Sequence, residues 1–202
     1  MGNKISDKNK KMVKITKTQI GILLFNIIYL LIALFIFWNR KNYEFLIYVG
    51  GIAFFIILIS SLHLKFNFNN FTLIGLSIWG LFHMLGGAVI INNAVLYAYQ
   101  LIPFLRFDQF VHLFGFFFAT LFSYYILKPN LGNKISWVGI SFLLIFIGMG
   151  LGAVNEIIEF ITVLTIPETG VGGYENTMWD IVFNTFGAIL AVIYLNLNHK
   201  NN

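Results

Sequence analysis

The segment WVGISFLLIFIGMGLGAVNEIIEFITV, residues 137–163, decides how the chain is read. It is almost wholly apolar and longer than the ~20 residues that cross a hydrocarbon core of about 30 Å. Glu156 and Glu159 nevertheless stand near its C-terminal end. After a short polar connection comes YENTMWD (174–180), which ends on Asp180. An ionisable side chain at membrane depth costs about 3 kcal/mol or more, so each of these carboxylates calls for a reason to be there.

The rest of the chain agrees with a membrane reading. Of its 202 residues, 58% are hydrophobic and only 10% charged, against about 25% charged in an ordinary soluble domain. Five further apolar segments flank the first: Ile20–Trp38, Phe45–Leu64, Leu73–Ile91, Phe110–Leu127 and Trp179–Leu195. Most have the length of a single crossing. The expected fold is all-α, a six-helix transmembrane bundle at residues 19–196. A basic N-terminal tail (1–18) precedes it and a short C-terminal tail (197–202) follows. Gly148, Gly150 and Gly152 mark a kink or a close approach of a neighbouring helix. The chain has no Cys, which excludes disulfides and thiolate metal sites.

Six of the thirteen basic residues fall in the first seventeen positions. They read as an anchor on anionic lipid, not as a nucleic-acid patch. With the N-terminus cytosolic, ten Lys/Arg lie inside and three (Arg40, Lys41, Arg106) outside. Both termini are therefore expected in the cytosol and the protein in the cell membrane, its first partner the lipid bilayer. Trp38, Trp137 and Trp179, at segment ends, fit an interfacial aromatic belt. The oligomeric state is left open.

This topology brings three polar pairs to the outer rim of the bilayer: Asp108 with His112, Glu156 with Glu159, and Asp180 with Asn184. Spacings of i,i+3 or i,i+4 put both members of each pair on one helix face. Counting from Leu73 places His83 deeper, near mid-membrane; an earlier start for that helix would raise it to the others' level. Four carboxylates cannot all ionise in a low-dielectric pocket without a positive partner. A divalent cation (Mg²⁺, Mn²⁺, Ca²⁺ or Zn²⁺) held by Asp108, His112, Glu156, Glu159 and Asp180 satisfies that need, and could activate water against a lipid-linked substrate. Glu156 and Glu159 are then the candidate catalytic acid and base, with His83, Asn184, Glu175 and Asn176 in support. The same groups would also serve a proton- or cation-coupled transporter, or simply tie helices together. No inverted repeat between the first and last three segments supports transport. Glu175 and Asn176 would cap the last helix or complete the site.

Four motifs carry a family resemblance: FHMLGG (82–87), RFDQFVHLFGFF (106–117), NEIIEF (155–160) and ENTMWDIVFNTFGA (175–188). In this order they resemble the bacterial inner-membrane proteins of the YjdF type and, more distantly, VanZ-like proteins. The resemblance covers residues 73–195 and implicates His83, Gly86, Gly87, Asp108, His112, Glu156, Glu159, Asp180, Asn184, Gly187 and Ala188. This chain departs from the pattern twice. Phe107 stands for a Tyr, and Asn176 for an Asp four residues before Asp180, which implies a weaker or rearranged site if that Asp binds metal. VanZ-like proteins are associated with glycopeptide tolerance at the outer membrane face, which agrees in sidedness with the charge count.

Overall fold

A computed structural model describes residues 15–132, 136–167 and 169–200, without the side chains of 199 and 200. The first fourteen residues of the basic tail lie outside the described residues. Six helices long and apolar enough to span a membrane follow one another: α1 (Lys17–Asn39), α2 (Tyr43–Phe66), α3 (Asn70–Ala88), α4 (Phe107–Leu127), α5 (Trp137–Thr165) and α6 (Tyr174–Lys200).

Local chemistry sets several of the starts. Thr16 and Gln19 form a reciprocal capping box that opens α1. The Asn42 side chain accepts from the Phe45 amide at 3.1 Å, and that of Asn69 from the Thr72 amide at 2.9 Å. Each satisfies one of the orphan donors of a first helical turn. The Asn69 cap corrects the expected span of the third segment. That helix begins at Asn70 and ends at Ala88, three residues earlier at both ends than apolarity alone indicated. The fifth helix is continuous through Gly148, Gly150 and Gly152.

The expected loop at 92–109 is more structured than its composition suggested. Two small antiparallel hairpins, β1–β2 (Ile90–Ile91, Ala94–Val95) and β3–β4 (Gln100–Ile102, Leu105–Arg106), flank a 3₁₀ turn at Leu96–Ala98. Asn92 and Asn93, at φ 50° and 64°, make the first turn. Asn tolerates that left-handed region, and two such residues in a row are the signature of a two-residue hairpin.

The helices pack as two groups. One is α1, α2 and α3, with a core around Tyr29, Phe37, Phe45 and Met84. The other is α4, α5 and α6, with a core around Leu121, Leu144, Ala191 and Leu195; α3 bridges to it through Leu76 and by packing on α4. Apolar side chains such as Phe35, Phe54, Phe146 and Leu197 remain exposed on the outer faces, as a bilayer-embedded bundle requires. Lipid gives no hydrophobic drive between helices, so close packing must hold the second group together. Gly187 supplies it. A Cβ there would collide with the Leu113 carbonyl and come within 2.9 Å of the Phe117 amide nitrogen, so only glycine lets α6 lie on the α4 backbone. A Cβ at Gly152 would lie 2.7 Å from the Asn184 side-chain amide, so glycine on α5 makes room for that α6 side chain.

Candidate functional site

The sites where α4 and α6 begin and α5 ends share one end of the bundle, away from the chain termini. His112 sits at the centre of that end and is 3% exposed. Its Nε2 lies 3.6 Å from Asp108 Oδ1, one turn back on α4. Its Nδ1 lies 2.9 Å from Asn184 Oδ1 on α6 and 3.6 Å from Glu156 Oε1 on α5. Ligand-type atoms of Asp108, His112 and Asp180 fall within 4.8 Å of one another, and so do those of His112, Glu156 and Glu159. The structure thus brings the five candidate ligands into two trios that share one imidazole.

Two asparagines organise this arrangement. The Asn176 amide donates to Asp180 Oδ2 at 2.7 Å and to Asp108 Oδ2 at 3.1 Å, while its oxygen accepts from Arg106 at 3.3 Å. It therefore fixes both aspartates by their Oδ2 atoms. Asn184 accepts at Oδ1 from His112 Nδ1, so a neutral His112 carries its lone pair on Nε2, toward Asp108. Several buried atoms are left over. Asp180 Oδ1, both carboxylate oxygens of Glu156 and Nδ2 of Asn184 have no partner in hydrogen-bonding geometry among the described residues. Such groups are costly in a dry interior and point to something that completes them.

The cluster borders a cavity of about 700 Å³. Asp108, Glu159 and Asn176 reach it from one side; Arg40, Lys41, Glu44, Tyr48, His83 and Tyr97 line the other. His83 is therefore level with the cluster, not at mid-membrane, because α3 ends five residues beyond it at Ala88. Its Nδ1 is 2.5 Å from the Tyr97 hydroxyl. Burial first, then the Asp108 and Glu159 carboxylates, push the Tyr97 hydroxyl well above its usual range. It stays protonated at neutral pH, as a donor. Glu175 is exposed and lines a separate shallow depression with Tyr174, Met178, Trp179 and Val182. Near the start of α6 its charge suits the helix dipole. Of the two supporting residues proposed there, only Asn176 joins the cluster.

Glu44, Tyr48 and Tyr97 were not anticipated from the sequence. Glu44 is 7% exposed in the first turn of α2, and its Oε2 accepts from the Gly170 amide at 2.6 Å. Its one legible signal was a carboxylate at the mouth of an apolar segment, the same signal that singled out Asp108. Two hydrophobic cores, six spans and an end-on cavity lined by carboxylates and imidazoles define an integral, multi-pass membrane protein with a polar pocket at one end.

The chain belongs to the predicted membrane protein family DUF2238, whose model matches residues 21–201. The YjdF type is this family. The match extends the resemblance across α1 and α2, which had agreed with it only in hydrophobicity, and carries no link to VanZ-like proteins. No curated protein and no solved structure matches the chain.

Proposed function

We propose that the cluster holds a divalent cation at the outer face of the plasma membrane, where the protein binds or acts on the headgroup of an envelope lipid or lipid-linked molecule. One observation carries this reading. Asn176 and Asn184 occupy the far sides of Asp108, Asp180 and His112. This leaves Asp108 Oδ1 3.6 Å from His112 Nε2 and Asp180 Oδ1 without a hydrogen-bond partner among the described residues, with ligand-type atoms of the three residues within 4.8 Å of one another and Asp108 also lining the cavity. Ligating imidazoles typically donate their other ring N–H to an outer partner, as His112 does to Asn184. Two carboxylates and one imidazole suit Mn²⁺ or Zn²⁺ better than Ca²⁺, which prefers six to eight oxygens.

A bound cation would polarise a phosphoryl or carbonyl oxygen or activate a water. Glu156 and Glu159 stand on the Nδ1 side of His112, and Glu159 also lines the cavity, so it is placed to carry a proton to or from a bound headgroup. A cluster whose sole role was to tie helices would pair its buried oxygens. Glu156, whose two oxygens make no hydrogen bond among the described residues and whose Oε1 only approaches His112 Nδ1 at 3.6 Å, fits that role poorly. The outward orientation rests on the Lys/Arg count.

The test is a thermal melt of chelator-stripped, detergent-purified protein with Mn²⁺, Zn²⁺, Mg²⁺ or Ca²⁺ added back. Ligands that bind only the folded state raise Tm, by about 2.7 kcal/mol of stability at a hundredfold excess over Kd. The proposal expects Mn²⁺ or Zn²⁺ to raise Tm in wild type and not in Asp180→Asn. No shift with any of the four cations would refute it.

A further inference from the structure

Resting on that reading of the cluster, we infer that the cavity takes the phosphate-bearing headgroup of a bilayer amphiphile. The phosphate lies between the cation site and Arg40 and Lys41, and the lipid tail leaves the bundle between α2 and α5. The cavity has an acidic wall and a mixed one, where Arg40 and Lys41 outnumber Glu44, whose Oε2 accepts from the Gly170 amide. Asp108 and Glu159 face it from the cluster side, and Arg40 and Lys41 from the turn between α1 and α2. A ligand that suits both walls through a bound cation must itself be anionic. Arg40 spends one nitrogen on the Ala88 carbonyl at 2.6 Å, which holds the guanidinium at the rim with no other hydrogen bond among the described residues. Lys41 has φ 53°, a left-handed backbone that a lysine rarely adopts, in the turn from which both cations line the cavity.

Little packing closes the cavity between α2 and α5. Both α2 and α5 line it, yet α2 packs chiefly on α1 and α5 chiefly on α4 and α6, with little contact between the two. What joins them there is the connection after α5, through the Glu44–Gly170 hydrogen bond. Ile47 on α2 and Val163 and Leu164 on α5 are exposed apolar residues close to this gap in sequence, a surface suited to an acyl chain. A free phosphate would have no use for such an opening.

The experiment is native mass spectrometry of the full chain in detergent, loaded with Mn²⁺. It is offered in turn a phosphatidate, the matching diacylglycerol and inorganic phosphate. Wild type should retain phosphatidate about tenfold better than diacylglycerol, a difference of about 1.4 kcal/mol, and should not retain inorganic phosphate. Arg40→Gln/Lys41→Gln should lose at least about fivefold of that retention while keeping its Mn²⁺. Lys41→Gln alone, which removes no described side-chain hydrogen bond, should lose part of it and guards against misfolding of the double variant. Equal retention of phosphatidate and diacylglycerol, or undiminished retention in both variants, would overturn the inference. So would tight binding of inorganic phosphate alone. A wild type that takes up no Mn²⁺ marks failure of the cation reading instead, and phosphatidate retention that ignores Arg40 and Lys41 in a Mn²⁺-loaded protein marks failure of this one.

Discussion

The two halves of the bundle solve different problems. The α4–α6 half sets backbone on backbone at Gly187, seats the Asn184 side chain against Gly152, and buries Asp180, Asn184, His112 and Glu156 against one another. The α1–α3 half is looser along α1 and α2, although on α3 an added Cβ at Gly75, Gly80, Gly86 or Gly87 would lie within 3 Å of a neighbouring side chain. At Gly21, Gly50 and Gly51 there is nothing within 4 Å of an added Cβ. Of its polar residues, Arg40, Lys41, Glu44 and His83 gather at the one end where they face the other half across the cavity. The difference teaches where constraint lies. One half is built to hold a set of polar atoms in register, and the other to wall and gate the space beside them.

That contrast can be broken most sharply by volume. Gly187→Val should destabilise the protein by about 1–3 kcal/mol, or more if α6 cannot shift, because it drives a side chain into the α4 backbone. Recovery of monodisperse protein and its melting temperature would check this. Wild-type-like stability would mean that α4 and α6 are not seated as described.

The two buried histidines make a second comparison. His112 bridges three helices, whereas His63, in the other half, has neither ring nitrogen hydrogen-bonded among the described residues. His112→Leu should cost about 3 kcal/mol or more by stranding Asp108 and Asn184. His63→Leu should be neutral or mildly stabilising, since it removes unpaired polar atoms from an apolar setting. Paired denaturation curves of the two variants would settle the matter, and equal losses would contradict the account.

Asn176 permits a gentler test. Asn176→Asp restores the carboxylate of the YjdF-type pattern and removes the amide that donates to Asp108 and Asp180. The metal-free variant should melt lower, by the equivalent of about 1–3 kcal/mol, and recover more on adding Mn²⁺ than wild type does. A variant that melts like wild type without metal would show that Asn176 does not organise the aspartates. The smallest effect belongs to the looser half. Gly50→Ala should leave stability within about 1 kcal/mol of wild type or raise it slightly, because the site is open and alanine favours helix.

Much of this was legible in the sequence because membranes impose simple rules. Length and apolarity yield the six spans. The spacings 108/112, 156/159 and 180/184 put the cluster on inward faces. What escaped notice depended on capping or on distant pairing. His83 was set too deep because apolarity alone does not reveal that Asn69 starts α3 early. Glu44 was passed over because its partner, the Gly170 amide, lies 126 residues away, and no local pattern encodes such a contact. The Asn92–Asn93 turn was visible as a residue pair, but a long polar connection hid it. Glu175 looked equivalent to Asn176 in sequence. Helical phase separates them, since Asn176 shares its face with Asp180 one turn on, and Glu175 does not.

The most direct measurement is the metal content of the detergent-purified protein by elemental mass spectrometry, beside that of Glu156→Gln/Asp180→Asn. The account predicts close to one divalent transition metal ion per wild-type chain, and loss of that metal from a double variant that still elutes as a folded species. Wild type free of metal even after Mn²⁺ or Zn²⁺ loading, with a double variant that is markedly less stable, would contradict it. Those carboxylates would then serve to join α5 and α6, not to bind an ion.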